Sequence, residues 1–168
     1  MKLLAFSLLF FGTAASAGDV SVGFSPDGGA ETLIIHTIQS AKSQILVAAY
    51  SFTDKPIARA LVDAKKRGID VKVVLDKSQN TERYTAATFL ANEGVPVRID
   101  SQHAIMHNKY LVIDGNTVEA GSFNYTSAAA KHNAENALVI RDDTALATRY
   151  ANDWKTHWEH SAPYKARN

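Results

Sequence analysis

Two nearby stretches of the chain place polar side chains at two-residue spacing: His107 and Lys109 in the first, Ser122 and Asn124 in the second. Side chains two apart on an extended strand share a face. In residues 108–113, Lys109, Leu111 and Ile113 alternate with Tyr110 and Val112, which predicts a strand. Asp114-Gly115 is a turn signal, and a second short strand is expected from Thr117 to Ala120. The hairpin brings His107 and Lys109 to the same sheet end as Ser122 and Asn124, given extended backbone past Gly121. A nucleophile-capable imidazole, a cation and two hydrogen-bonding groups then meet. Such a set suits a small tetrahedral anion, and phosphate is the obvious one. A His and a Lys at a strand end can also be merely solvated, and Ser-x-Asn can cap a loop. The four together argue for chemistry.

The elements that must carry this hairpin are legible in chain order. A short strand is expected over Val20 to Phe24, then a helix over Ala30 to Ser43, with Leu33, Ile34, Ile38 and Ala41 on one face. His36 in that helix reads as a surface or partly packed residue, not a catalytic one. Gln44 to Tyr50 is almost continuously apolar, as in a central strand covered on both faces. Asp54 is placed to cap the next helix, Pro56 fits its first turn, and Gly68 stops it behind Lys65-Lys66-Arg67. Asp70 to Asp76 reads as a strand, Thr81 to Glu93 as a helix, Val95 to Asp100 as another strand. This alternation requires right-handed crossovers. The predicted class is α/β, with a mixed, largely parallel sheet flanked by helices and antiparallel strands added by the hairpin. Ala137 to Arg141 closes the strand set, and Asp142 or Asp143 caps a last helix. Leu146, Tyr150, Trp154 and Trp158 form a stripe along that helix, read as packing against the core or a subunit. The tail from Ser161 is expected to fray.

At 168 residues the chain has room for one domain with a full core. Met1 to Ala17 runs from a single Lys through an apolar stretch to Ala15-Ser16-Ala17, the order of a secretory signal peptide. Cleavage after Ala17 would leave 18–168 as the mature domain, exported to the periplasm or beyond; the alternative is an uncleaved anchor. Losing Lys2 takes the eighteen basic residues to seventeen, against seventeen acidic, so the mature chain is close to neutral. Any footprint for a polyanion must therefore be local. Lys65, Lys66, Arg67, Lys72, Lys77, Arg83, Arg98 and Lys131 are the candidates. There is no cysteine, and no Asp/Glu/His spacing reads as a metal site. No cofactor is expected.

The pattern His-x-Lys, four residues, Asp, six residues, Gly-Ser-x-Asn resembles the signature of the phospholipase D superfamily at His107, Lys109, Asp114, Gly121, Ser122 and Asn124. Gly23-Phe24-Ser25-Pro26, Ala49-Tyr50-Ser51-Phe52-Thr53 and Asn133-Ala134-Glu135-Asn136 are similar to segments of its short bacterial endonucleases. The resemblance implies a phospholipase D-like fold with one motif per chain and metal-independent phosphodiester cleavage. In that family a histidine attacks phosphorus to give a phosphohistidine, and a second histidine protonates the leaving oxygen. His107 would be the nucleophile, or the acid/base in its partner copy. Lys109 and Asn124 would hold the non-bridging oxygens, and Glu135 would hydrogen-bond a histidine ring. Ser122 would lie beside Glu135. Asp114 and Gly121 are supporting positions: Asp114 is accounted for by its turn, and Gly121 by close approach of backbone or substrate.

One site needs two histidines, and the signature occurs once. A homodimer whose two-fold axis pairs two copies of His107 supplies both. His103, His132, His157 and His160 compete for the second role. The expected substrate is nucleic acid, DNA or also RNA. Rival expectations are a phospholipase D acting on phosphatidyl head groups and a catalytically silent nucleic-acid-binding module.

Overall fold

The computed structural model describes residues 18–27, 29–81 and 85–166. Met1 to Ala17, expected as a signal segment, and Arg83 and Arg167 lie outside them. Eight strands form one sheet: β1 (Val20–Ser25), β2 (Gln44–Ala49), β3 (Asp70–Asp76), β4 (Val97–Asp100), β5 (Lys109–Ile113), β6 (Thr117–Gly121), β7 (Glu135–Ile140) and β8 (Ala162–Pro163). Their spatial order is β1-β7-β6-β5-β2-β3-β4-β8. The mixed sheet flanked by helices is as expected, but its parallel share is smaller than "largely parallel" implies. Only β2–β3 and β3–β4 pair in parallel. The other pairings are antiparallel: β5, β6 and β7 follow one another without a full crossover, β7 comes back beside β1, β5 runs against β2, and β8 pairs with β4.

The helices are α1 (Gly29–Ser40), α2 (Lys55–Lys66), α3 (Ala86–Asn92), α4 (Ser127–Lys131) and α5 (Thr144–His160), with a 3-10 turn at Lys77–Asn80. One apolar layer joins α1, α2 and α3 to one face of the sheet through Ile34, Ile38, Leu61, Leu90, Ile45, Val47 and Leu111. The second is smaller and lies under α5, with Ala147 and Trp154 against Leu46, Ala48, Tyr110, Val112 and Val118. Burial on both sides explains the unbroken apolar run of β2. The aromatic stripe of α5 is core packing, as expected: Trp154 Nε1 donates to the Val47 carbonyl at 2.8 Å, and Trp158 stacks on Trp154 at 4.9 Å.

Several boundaries differ from expectation for identifiable reasons. α1 stops at Ser40, short of Ser43, because the Asp114 carboxylate takes the backbone N–H groups of Lys42, Ser43 and Gln44 at 2.8–3.0 Å. α3 starts at Ala86 because extended Thr85 caps it, its hydroxyl accepting from Ala87 N. The segment after α5 is tied down instead of fraying. Ala162 pairs with Ile99, the Arg98 guanidinium donates to the Ser161 carbonyl, and Tyr164 Oη meets Thr88 Oγ1 at 2.7 Å. Among the described residues no helix is long and apolar enough to cross a membrane.

Candidate active site

The β5–β6 hairpin forms as expected, with Tyr110 opposite Ala120 and Ile113 opposite Thr117. Asp114 and Gly115 at its tip both take positive φ, 52° and 69°, a conformation Asp and Gly tolerate better than most residues. The open end of the hairpin faces a cleft of about 1010 Å³. His107, Lys109, Gly121, Ser122, Asn124 and Glu135 line it, with Tyr150, Arg149 and Asp153 on the α5 wall.

His107 is held by its neighbours more than by its own ring. Met106 N donates to buried Asp76 Oδ2 at 2.7 Å, and the Asn108 carbonyl accepts from Tyr50 N at 2.9 Å. The imidazole between these anchors is exposed and packs at 4.6 Å against the Tyr50 ring. Lys109 Nζ donates to the His107 carbonyl at 2.7 Å and meets Nδ1 at 3.1 Å. An ammonium group can only donate, so Nδ1 accepts and the ring proton sits on Nε2. Burial lowers the Lys109 pKa, and the nearby Glu135 carboxylate opposes that shift. Aromatic Tyr50, 5.5 Å from Nζ, flanks both groups.

Past β6 the chain stays extended, so residues continue to alternate. Phe123 and Tyr125 are buried in the core, while Ser122 and Asn124 face the cleft. The Tyr125 carbonyl accepts from Thr53 N and Asp54 N, and its hydroxyl donates to buried Glu119 Oε2 at 2.6 Å. These bonds fix Asn124 from behind. Ser122 Oγ donates to Glu135 Oε2 at 2.6 Å and accepts from Asn136 N at 3.1 Å; Glu135 Oε1 accepts from Asn133 Nδ2 at 3.1 Å. Glu135 is thus tied to Ser122 and Asn133 within its own chain. Asn124 Oδ1 is buried with no hydrogen-bond partner. An orphaned buried oxygen is costly, and natural proteins keep one chiefly where function uses the group.

Asp114 lies at the other end of β5, about 17 Å of strand from Lys109. Its carboxylate gathers Lys42 N, Ser43 N, Ser43 Oγ and Gln44 N. Burial alone would raise its pKa, but these donors win and lower it. Its work is to lock the entry of β2. Gly121 has a definite requirement, because an added Cβ would lie 2.2 Å from the Asn136 carbonyl oxygen.

Of the cations expected to form a local footprint, the described ones do not line the cleft. Lys66 pairs with Glu93 at 2.8 Å, Lys72 with Asp70 at 2.6 Å, and Arg67 donates to the Ile38 and Gln39 carbonyls at the end of α1. Lys77 holds the His103 carbonyl, and Arg98 is tied to Ser161. Lys109 and Arg149 are the cleft cations instead. Sequence reading passed over Arg149, and used Tyr50 only as part of a motif; nothing in their spacing marks them. Of the rival histidines, His103, His157 and His160 turn toward Asp100, and His132 is exposed after α4. Among the described residues His107 is the one imidazole lining the cleft.

The sheet end gathers His, Lys, Ser, Asn and Glu around one open cleft, a set suited to a phosphodiester, and known proteins agree. Residues 34–158 match the family described as "Cardiolipin synthase, PLD-like domain". The crystal structure of Nuc from Salmonella typhimurium, a phospholipase D family member, is 46% identical with a TM-score of 0.86, covering 88% of this chain and 98% of that one. NucT from Helicobacter pylori is 26% identical, with a TM-score of 0.77, covering 87% and 99%. A phospholipase D of Rickettsia bellii is 40% identical over 139 residues, 83% of this chain and 69% of its own length. The chain belongs to the phospholipase D superfamily. Its activity class is phosphodiester hydrolysis.

Proposed function

We propose that the protein is an exported endonuclease that cleaves DNA, and RNA as a second substrate, through a phosphohistidine formed on His107 in a two-fold homodimer. The observation that carries this reading is a single cleft in which Lys109, Ser122, Asn124 and Glu135 surround one imidazole. Phosphoryl transfer in two steps needs a nucleophile and an acid/base, and one histidine cannot serve as both at once. Beside the cleft, Val20, Val22, Phe24 and Leu138 share the sheet face that α5 leaves uncovered, and Phe24 is 64% exposed. An apolar row of this kind on an edge strand suits burial against a second copy.

In the mechanism, a ring nitrogen of one His107 attacks phosphorus, and an N–P bond forms as the P–O bond to the leaving strand breaks. The His107 of the second copy gives its proton to the leaving oxygen. It then takes a proton from water, whose oxygen displaces the first ring and frees the 5′- or 3′-phosphate product. Lys109 and the Asn124 amide hydrogen-bond the non-bridging oxygens where charge builds up. The Lys109 ammonium that meets Nδ1 in the free protein turns to phosphate, releasing that nitrogen. Ser122 and Glu135 hold the far wall of the cleft.

Nucleic acid is favoured because the cleft is open, carries Lys109 and Arg149, and is flanked by Tyr50 and Tyr150, which can face sugars or bases. The Rickettsia bellii relative is named a phospholipase D, which supports a phosphatidyl substrate as a second reading. Plasmid, oligonucleotides and phosphatidylcholine vesicles incubated with the protein in EDTA separate the two. Nicked plasmid with intact vesicles is expected. Head-group release with intact plasmid would replace the nuclease by a lipase, and no hydrolysis of either would leave a silent binding module.

A further inference from the structure

At the end of β4, away from the cleft, Asp100 is 1% exposed. Its Oδ1 accepts from Gln102 N at 2.9 Å. Three imidazoles converge on the other oxygen: His157 Nδ1 at 2.7 Å, His160 Nε2 at 2.9 Å and His103 Nδ1 at 3.2 Å. His103 comes from the segment after β4, while His157 and His160 stand one turn apart in the last turns of α5. The ring centroids lie 5.1–5.5 Å from one another. A carboxylate oxygen has two lone pairs, so three ring N–H donors oversubscribe it. Charging all three rings at that separation would add mutual repulsion. A cation shared by four ligand atoms resolves both difficulties.

We propose that Asp100, His103, His157 and His160 form a binding site for a divalent transition-metal ion of the zinc class. The four ligand atoms already lie within 4.8 Å of one another. Zinc bonds of 2.0–2.1 Å give a tetrahedron with edges of about 3.3 Å, so the groups need to move by about 1 Å or less. Three imidazole nitrogens with one carboxylate suit zinc, nickel or copper and not magnesium or calcium, which prefer all-oxygen shells. Four protein ligands make a closed, structural site.

The site has a supporting shell. With the metal on Nδ1, His157 keeps its proton on Nε2, 3.1 Å from Asn108 Nδ2; the Asn108 amide, turned over, presents its oxygen to that proton, and Asp153 Oδ2 lies 3.6 Å away. Asn108 adjoins His107, and Asp153 lines the catalytic cleft and accepts from Tyr110 Oη at 2.7 Å. The metal would thus pin the end of α5 to the segment that presents His107, without touching the substrate phosphate. The site stands independently of which phosphodiester is cut.

Chelator-stripped, untagged protein dialysed against zinc is expected to bind one ion per chain, by elemental analysis, with a Kd of about 1 μM or tighter and a raised Tm. Cobalt in its place should give the intense visible bands of a tetrahedral ion. The double variant His103→Ala/His160→Gln should lose about a hundredfold or more in affinity, since two of four ligands are gone. His107→Asn should bind as tightly as wild type, which excludes the catalytic histidines as the ligands. Substoichiometric zinc on the wild type, weak octahedral cobalt bands, affinity retained in the double variant, or affinity lost in His107→Asn would each overturn the site. The cobalt spectrum of the wild type decides the matter even if the double variant fails to fold.

Discussion

Lys109 and Glu119 show how burial sets the chemistry of single residues in this protein. Lys109 sits partly desolvated, held over the His107 carbonyl, and in the proposed mechanism it swings onto phosphate. A donor aimed at charge that develops only in the transition state contributes mainly to kcat. Lys109→Ala is expected to cut kcat by about 10²- to 10³-fold with Tm unchanged. A loss of less than about tenfold, measured on plasmid or on a chromogenic phosphodiester, would remove Lys109 from the catalytic set. Glu119 is fully buried beneath Tyr125, and burial pushes its pKa up to about 8, against a smaller lowering by the Tyr125 hydroxyl. Its carboxyl is therefore protonated at neutral pH in the folded protein and ionised in the unfolded one. The stabilising contribution is complete below the ordinary Glu range near 4.5 and declines as pH rises toward 8. The decline is about 1.4 kcal/mol per pH unit between those limits. Glu119→Gln, which never ionises, should show a smaller fall in Tm between pH 6 and pH 9 than wild type. Equal falls in the two proteins would place the proton elsewhere.

At the scale of elements, the hairpin works because both of its ends are clamped. At the tip, Asp114 captures the loop that leads into β2. At the open end, Tyr125 and Met106 are pinned to Asp54 and Asp76. Asp114→Ala removes an acceptor from three backbone N–H groups at the α1–β2 junction. It should cost about 2 kcal/mol of stability while the surviving folded protein keeps its kcat. Denaturant titration with parallel assays checks this, and a large kcat loss at unchanged stability would make Asp114 catalytic after all. The two clamps also explain where sequence reading stopped. The Asp-Gly turn was visible from residue types, but the carboxylate's partners some seventy residues upstream were not. The same holds for α4, five residues capped by Thr126, which is too short to show a period.

For the whole molecule, the arrangement of layers leaves one imidazole per cleft and an uncovered apolar row beside it. Mixed dimers test the pairing. Wild type and His107→Asn co-expressed in equal amounts, with separable tags, should retain about a quarter of the activity per total protein if both copies are required. Retention of about half would mean that each chain works alone. Away from the cleft, Lys66, Lys72 and Arg67 are engaged in local ion pairs and carbonyl contacts.

Residue types and spacing alone determined the hairpin, its two polar pairs, the central apolar strand, the helix cap at Asp54 and the last cap to within Asp142 or Asp143, because these are local consequences of side-chain period and turn chemistry. They also carried the signature that assigns the superfamily. Tertiary structure decided what depends on distant parts of the chain meeting. It set Tyr50 against His107 and Lys109, placed Arg149 at the cleft and turned Lys66 and Arg67 to pairing at helix ends. It also gathered His103, His157 and His160 on Asp100. His157 and His160 read only as rivals for the second catalytic imidazole, because histidines three apart carry no meaning until a sheet end fifty-seven residues before His157 supplies the carboxylate. Periodicity fixes which way a side chain points along its own element; only packing fixes what it points at.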